Sequence, residues 1–538
     1  MTLVARLVLL FCLCVWPLAA SAAPVSPQIA LAAATAWLGL PERALAPATA
    51  GPTGSVTAQA DTDGTTLFYT VALAPAGFVL VAGDDTMEPI LAFSGSGAYD
   101  GDPASPLYFL ATTDAADRLA AGRTRGTSAG QAAEDKWRLL LDGAENRGAA
   151  ARQHRDTVST VRVAPFLQTK WGQSNDKDDQ PLYNLYTPKT TGGQNTLTGC
   201  VATAMAQVMR FFEFPTRGVG TTARPVKLCQ SCSGSAPQQC GEMQMATRGG
   251  DGQGGAYDFA AMPLAPGTST PDAARQAISA LMADAGATVQ MDYSTCVSGA
   301  YQWFAASALT DVFGFSNAVW NSGGPTAAYS MSAEQYRNAI NTNLDAGLPV
   351  MLTISNSSAG HEVVADGYGY EDATPYYHCN MGWDGLWDVW YNLPVIDPEG
   401  SPFTTVWTII YNIYTTGGGE VVSGRVSDKD GQAIADVAVT ITNQRDTKDA
   451  LTVKTNANGL FAFSKLASNT AFALTAAKAG WSFPPQYATT GVSLSPTGDN
   501  QGNITNYGLN LCGNFWGADF TGLAVPIPIP PVYLILGP

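Results

Sequence analysis

The run Leu197-Thr198-Gly199-Cys200-Val201-Ala202-Thr203-Ala204-Met205-Ala206-Gln207-Val208-Met209-Arg210-Phe211-Phe212 constrains this chain more than any other stretch. Its first residues read as a loop, and from Val201 small and apolar residues continue without a breaker to Pro215. That pattern predicts a buried helix with Cys200 in its first turn. A thiol at that position faces unpaired backbone N–H groups and the positive end of the helix dipole, both of which favour thiolate. Ala202 and Ala206 let a second element approach closely and hold the sulfur at the edge of a packed core. The competing reading makes Cys200 one more buried or disulfide-bonded cysteine. A partner base decides between them.

Histidine is the side chain best suited to take a thiol proton near neutral pH, and the chain has only 3. His154 lies in a basic stretch with Arg147, Arg152 and Arg155, which reads as an exposed, protease-accessible linker. His361 opens the strand pattern His361-Glu362-Val363-Val364-Ala365-Asp366-Gly367-Tyr368 after a Ser- and Asn-rich loop, at a strand edge where a loop meets a cleft. His378, within Tyr376-Tyr377-His378-Cys379-Asn380, falls on a strand face. His361 is therefore the expected base and His378 a structural residue. Asn380 is placed to hold the far ring nitrogen in one tautomer, or else serves as a turn residue before Gly382. A developing oxyanion needs donors; the Cys200 backbone N–H is one, and the amide of Gln173, beside Trp171 and Gly172, is the best side-chain candidate. The alternative for Gln173 is a solvated surface residue.

A chain of 538 residues with 46% hydrophobic content has room for two to four domains. Its net charge of −16 argues against nucleic acid or an anionic membrane as the main partner, since both reward basic surfaces. Residues 1–22 read as a signal peptide: Arg6, an apolar stretch from Leu7 to Val15, and the small-residue pattern Ala20-Ser21-Ala22. Secretion, extracellular or periplasmic, is the expected location. Of 9 cysteines, Cys12 and Cys14 lie in the leader, leaving an odd seven, so one thiol stays unpaired or bridges chains. Cys229-x-x-Cys232 with Cys240 lacks a fourth ligand for zinc, so disulfides of unreadable connectivity are expected. No metal or cofactor is expected, and the acidic loop Asp176-Lys177-Asp178-Asp179 reads as solvated rather than calcium-binding.

Residues 23–157 carry a capped helix from Ser26-Pro27, strands at Leu67–Leu73, Gly77–Ala82 and Ile90–Phe93, and a second helical zone around Trp137. In 158–416 helices come first, including one capped by Thr270 before Pro271 and one with a Ser332–Gln335 capping box. Strands at Pro349–Ile354, Glu362–Gly369, Tyr376–Asn380, Trp387–Asn392 and Trp407–Tyr414 follow. This order indicates an α+β domain of two packed halves with a cleft between them. Residues 217–255, rich in Gly, Ser and Cys, read as an irregular insertion or long surface loop. After the linker Gly417-Gly418-Gly419, evenly spaced short strands in 417–523 predict a small all-β sandwich, and 524–538 is a Pro-rich tail without assigned structure.

With these residues aligned, the chain resembles the streptopain family of secreted bacterial cysteine peptidases, a branch of the papain-like fold. Three motifs carry the likeness: Thr198-Gly199-Cys200-Val201-Ala202-Thr203-Ala204, Ala280-Leu281-Met282-Ala283-Asp284-Ala285-Gly286, and His361-x-Val363-Val364-x-Asp366-Gly367-Tyr368 with His378-x-Asn380-x-Gly382-Trp383. The segment Gly77 to Asp85 with Ile90 to Ser94 resembles the family's inhibitory propeptide, and the C-terminal sandwich resembles carboxypeptidase-regulatory-like modules. The resemblance implies a papain-like two-lobed domain made as a zymogen, with Cys200 as nucleophile, His361 as base and acid, and Gln173 as oxyanion donor. It implies protein or peptide substrates, a hydrophobic pocket two residues before the scissile bond, the pro-domain as intramolecular inhibitor, and a surface ligand for the sandwich. One departure stands out: the family has Trp after the asparagine, and here Met381 stands there, so an indole beside the imidazole is expected to be missing. The rival readings are an acyltransferase on the same fold, with an amine in place of water, and an inactive surface-binding protein.

Overall fold

A computed structural model describes residues 23–39, 51–103, 105–125, 128–141, 160–234, 236–322, 331–355, 360–371, 374–393, 406–498, 504–506 and 512–525. The expected signal peptide, the basic linker with His154, and residues 526–538 of the tail lie outside them.

In the N-terminal and central parts the strands are β1 Gly51–Ala60, β2 Thr66–Ala74, β3 Phe78–Ala82, β4 Ile90–Ser94, β5 Thr160–Val163, β6 Ala223–Ser233, β7 Ala236–Ala246, β8 Asp292–Tyr293, β9 Asn317–Ser322, β10 Val350–Ser355, β11 Gly360–Glu371, β12 Thr374–Asn380, β13 Val389–Tyr391 and β14 Val406–Tyr414. The helices are α1 Pro27–Leu38, α2 Pro106–Arg125, α3 Ser128–Leu141, α4 Cys200–Phe212, α5 Asp272–Thr288, α6 Trp303–Asp311 and α7 Ala333–Asp345. Together they make the mixed α+β fold expected from the order of helices and strands.

An 11-stranded sheet runs β1-β2-β3-β4-β13-β12-β11-β10-β14-β9, with β5 paired to β11. The N-terminal segment and the central body thus share one sheet. They join where Phe93 pairs with Trp390 and Ala92 with Tyr391. The seam is apolar, with the Phe93 ring 5.3 Å from Tyr376 and 4.8 Å from Trp37. It is fixed by polar bonds as well: Tyr391 donates to Asp114 at 2.8 Å, and Arg118 donates to Asn392.

α4 lies in the second half, where Val201 to Met209 are all buried. It packs with α5 and α6 around a core that includes Met205, Leu281, Met282 and Leu309. Its last turn ends at Glu213, whose left-handed φ of 48° turns the chain toward Pro215. The Ser332–Gln335 capping box is present at the start of α7. At α5 the expected cap differs: Pro271 is the N-cap, because the Thr270 hydroxyl accepts from the Gly267 N–H instead.

Residues 217–255 are more ordered than their composition suggests. β6 and β7 form an 11-residue-by-11-residue hairpin, joined by the Cys229–Cys240 disulfide and tied to a distant loop by Cys232–Cys296. Cross-links replace the apolar bulk that would otherwise have announced these strands.

Beyond Gly417 two small sheets face each other. One contains Glu420–Asp428, Leu460–Leu466, Phe520–Ala524 and Trp481–Ser482; the other contains Ala438–Asn443, Ala450–Lys454, Ala471–Ala477 and Gln486–Thr489. Val422, Val439, Phe461, Phe463 and Leu474 fill the space between them. The sandwich is fastened to the central body: Ser423 donates to Asp345 at 2.7 Å, Asn514 to Thr342 at 2.9 Å, and Asn458 to the Arg162 carbonyl at 2.9 Å. Among the described residues no helix is long and apolar enough to cross a membrane.

Candidate active site

The loop before α4 is held from two sides. Leu197 N–H donates to the Ser294 carbonyl at 2.9 Å, and Thr198 N–H to the Gln173 carbonyl at 3.0 Å. Gly199 then takes φ +88° as the N-cap, a conformation L side chains rarely adopt. A Cβ there would also lie 2.6 Å from Met291 Sδ. Only glycine allows the chain to turn this tightly into the helix and present Cys200 at its first position.

Cys200 keeps part of its surface open to a cavity of about 1020 Å³, which Gln173, His361 and Trp383 also line. Burial raises the thiol pKa, against the N–H groups of Glu362, Val201 and Cys200 itself, which stabilise the thiolate. These N–H groups are the favourable contacts a helix start offers, but in this covered cleft desolvation outweighs them. The cover comes from the N-terminal segment, whose Pro103, Ser105, Pro106 and Phe109 line the same cavity.

His361 is the second residue of β11, opposite Ile354 of β10, and is 9% exposed. Its neighbour Glu362 offers a backbone N–H to the Cys200 sulfur, which brings strand and helix together at the reacting atoms. The His361 Nε2 lies 2.8 Å from the Met381 carbonyl. A carbonyl only accepts, so Nε2 carries the proton and Nδ1 is left with its lone pair. Burial lowers the His361 pKa, opposed by the Met381 bond and the Glu362 charge. Burial likewise raises Glu362, to about 8, with Thr353 donating to it at 2.5 Å.

Asn380 is close by but makes other bonds. Its Oδ1 accepts from Gln207 Nε2 and Gly382 N–H, each at 3.0 Å, and its Nδ2 donates to the Thr169 carbonyl at 2.7 Å. The contact to the far ring nitrogen expected of Asn380 is thus made by the main chain of Met381. Gln207 of α4 and the Gly382 N–H occupy both acceptor sites of the Asn380 oxygen, leaving it no free acceptor to turn toward the ring. The indole expected to be missing is present two residues later: Trp383 stands edge-on to His361, ring centres 6.2 Å apart.

Gln173 is 7% exposed, and its Nε2 has no hydrogen-bond partner. Trp171 anchors its segment by donating to the Pro263 carbonyl at 2.9 Å. Gly172 allows Asp384 to approach, since a Cβ there would lie 2.6 Å from the carboxylate. A buried, unsatisfied donor facing a cavity is costly unless something else uses it.

His378 is engaged by a different partner. Its Nδ1 meets Asp366 at 2.6 Å, and the other Asp366 oxygen accepts the Leu167 N–H at 2.7 Å. Burial opposes its charge, but Asp366 and Asp388 outweigh burial and its pKa is raised. Asp176 of the acidic loop is ion-paired with Arg275. Sequence reasoning missed the Met381 carbonyl, Trp383 and Glu362. Only Trp383 carried a signal, as an aromatic beside the turn that ends β12.

A thiol on a helix start and an imidazole on a facing strand, under a segment that shares the cavity, define a cysteine peptidase built with its own cover. Residues 177–391 match the Peptidase C10 family, and through that domain the chain belongs to it. Residues 22–117 match the Spi protease inhibitor model, and residues 421–505 the carboxypeptidase regulatory-like domain. Streptopain of Streptococcus pyogenes serotype M1 is 25% identical over 343 residues, which cover 62% of this chain and 75% of the relative. The thiol protease/hemagglutinin PrtT of Porphyromonas gingivalis is 26% identical over 327 residues, 60% of this chain and 33% of the relative. Among solved structures, a prointerpain A fragment of Prevotella intermedia is 23% identical over 67% of this chain and 99% of its own, with a TM-score of 0.46. Interpain A of the same organism is 30% identical over 47% of this chain and 95% of its own, with a TM-score of 0.37.

Proposed function

We propose that the protein is a secreted cysteine endopeptidase working through a Cys200 thioester. His361 Nδ1 takes the thiol proton, and the thiolate attacks the peptide carbonyl. The oxyanion is received by Gln173 Nε2 and the Cys200 backbone N–H. His361 returns the proton to the leaving amine, and water then hydrolyses the acyl-enzyme. Met381 and Trp383 hold the ring, and Asn380 positions the turn that carries both. The observation that carries this reading is the orphaned Gln173 amide in the same cavity as Cys200 and His361.

Residues 23–157 act as the inhibitory pro-domain and 158–416 as the peptidase. Maturation cuts between Arg147 and Thr157. The substrates are proteins or peptides with a hydrophobic residue two before the scissile bond. The sandwich of 417–523 binds a surface ligand. Secretion is supported by the leader pattern and by two disulfides. Purified precursor incubated with a thiol reductant should process itself and then digest casein, whereas Cys200→Ala should stay folded and intact. A Cys200→Ala precursor that matures alone and digests casein would refute the proposal.

A further inference from the structure

The β6–β7 hairpin has two faces because strand side chains alternate. Val226, Leu228, Met243 and Met245 pack on the core around α4. The other face, Pro225, Lys227 and Cys229 with the cross-strand Cys240 and Glu242, lines the cavity that holds Cys200 and His361. β7 itself is largely exposed. Four apolar side chains and a short pairing to β8 are a weak anchor for a hairpin of this length.

The missing restraint is supplied by the Cys232–Cys296 disulfide, which joins residues 64 apart in sequence. It ties the far end of β6 to the loop that supports the nucleophile. That loop accepts the Leu197 N–H at the Ser294 carbonyl, 2.9 Å away, and brings the Ser298 carbonyl against Gly199. It also forms an apolar lip on the cavity. Val297 is 48% exposed and Tyr301 61%, with Tyr301 stacked on Trp303 at 4.3 Å.

We propose that the stapled hairpin and this lip form a specificity-determining wall. An extended polypeptide in the cleft rests residues remote from the scissile bond on Lys227, Glu242, Val297 and Tyr301. The Cys232–Cys296 disulfide keeps that wall in register with Cys200. The wall acts on binding and not on the reacting atoms, so it selects long substrates over short ones. Pre-ordering it lowers the entropy lost when the substrate binds. This rests on Cys200 being the nucleophile.

The test uses processed wild type and the Cys232→Ser/Cys296→Ser double variant, assayed on a dipeptidyl fluorogenic amide and on a quenched peptide of about ten residues, a length chosen to reach remote subsites. The double variant should lose about tenfold in kcat/KM on the long peptide, mostly through KM, and stay within about twofold on the short one. Its Cys200 should react with iodoacetamide at the wild-type rate. Tyr301→Ala and Glu242→Ala, with the staple intact, should each weaken the long peptide selectively, which covers the case in which the double variant misfolds. Equal losses on both substrates, or no loss in any variant, would overturn the wall. A wild-type Cys200 without fast alkylation would overturn the catalytic reading instead.

Discussion

His361 Nε2 meets the backbone carbonyl of Met381 at 2.8 Å, so the ring is oriented by the main chain. Side-chain changes at Met381 should then leave the pH profile intact. Met381→Leu is expected to keep kcat/KM within about threefold, since a volume-conserving apolar swap is well tolerated.

Asn380→Ala removes buried bonds to Gln207, Thr169 and Gly382. The expected result is a loss of roughly 1–3 kcal/mol in stability, read by thermal melting, while the acid limb of kcat/KM stays where it is. A shift of that limb by a full pH unit would instead give Asn380 a direct hold on the imidazole.

Gln173 Nε2 bonds to nothing in the covered cleft. Its removal breaks no side-chain amide hydrogen bond from that nitrogen, so Gln173→Ala should melt within a degree or two of wild type. On the acyl-transfer step it should lower kcat by roughly 10²–10³ with little change in KM.

Two buried carboxyls make stability pH-dependent. Burial raises Asp345 to about 7, against bonds from Ser423 and Tyr368, and raises Glu362 to about 8. Each group binds its proton more tightly folded than unfolded, so its contribution is complete below the unfolded pKa near 4. It is lost as pH rises through about 7 for Asp345 and about 8 for Glu362. Asp345→Asn should flatten the decline between about pH 4 and 7, and Glu362→Gln the decline up to about pH 8, each seen as a smaller fall in melting temperature. Asp345 also accepts from Ser423 at the joint with the sandwich, a bond that favours the carboxylate and offsets part of the cost of burying its charge.

Gly199→Ala meets both a left-handed backbone, φ +88°, and the Met291 side chain. A cost of roughly 1–3 kcal/mol is expected, together with loss of activity from a displaced Cys200. The precursor should remain soluble but process slowly.

The parts of the site carried by strong local patterns could be read from residues alone. The uninterrupted apolar run after Gly199 announced α4, and apolar runs near His361 and His378 announced β11 and β12. The capping box before α7 was equally plain. What stayed hidden involves groups without a local signature. The Met381 carbonyl belongs to the backbone, which every residue has. The pairing of β4 with β13 joins positions nearly 300 residues apart, and no short-range pattern encodes it. In β6 and β7, Cys, Gln and Gly mask the alternation of Val226 with Leu228 and of Met243 with Met245. A helix start favours thiolate at an open end, whereas Cys200 sits in a covered cleft where burial raises its pKa, and burial depends on distant segments that no local pattern encodes.

In the proposed mechanism Cys200 becomes reactive through His361 once the cleft is open. The direct measurement is mass-spectrometric mapping of an epoxide or iodoacetamide label on the processed enzyme, timed against loss of peptidase activity. The described residues include three free cysteines, Cys200, Cys379 and Cys512. The account predicts fast labelling of Cys200 alone, in proportion to lost activity, and slow labelling of the same residue in His361→Ala. Labelling of Cys379 or Cys512 that tracks inactivation, or a Cys200 rate unchanged by His361→Ala, would contradict it.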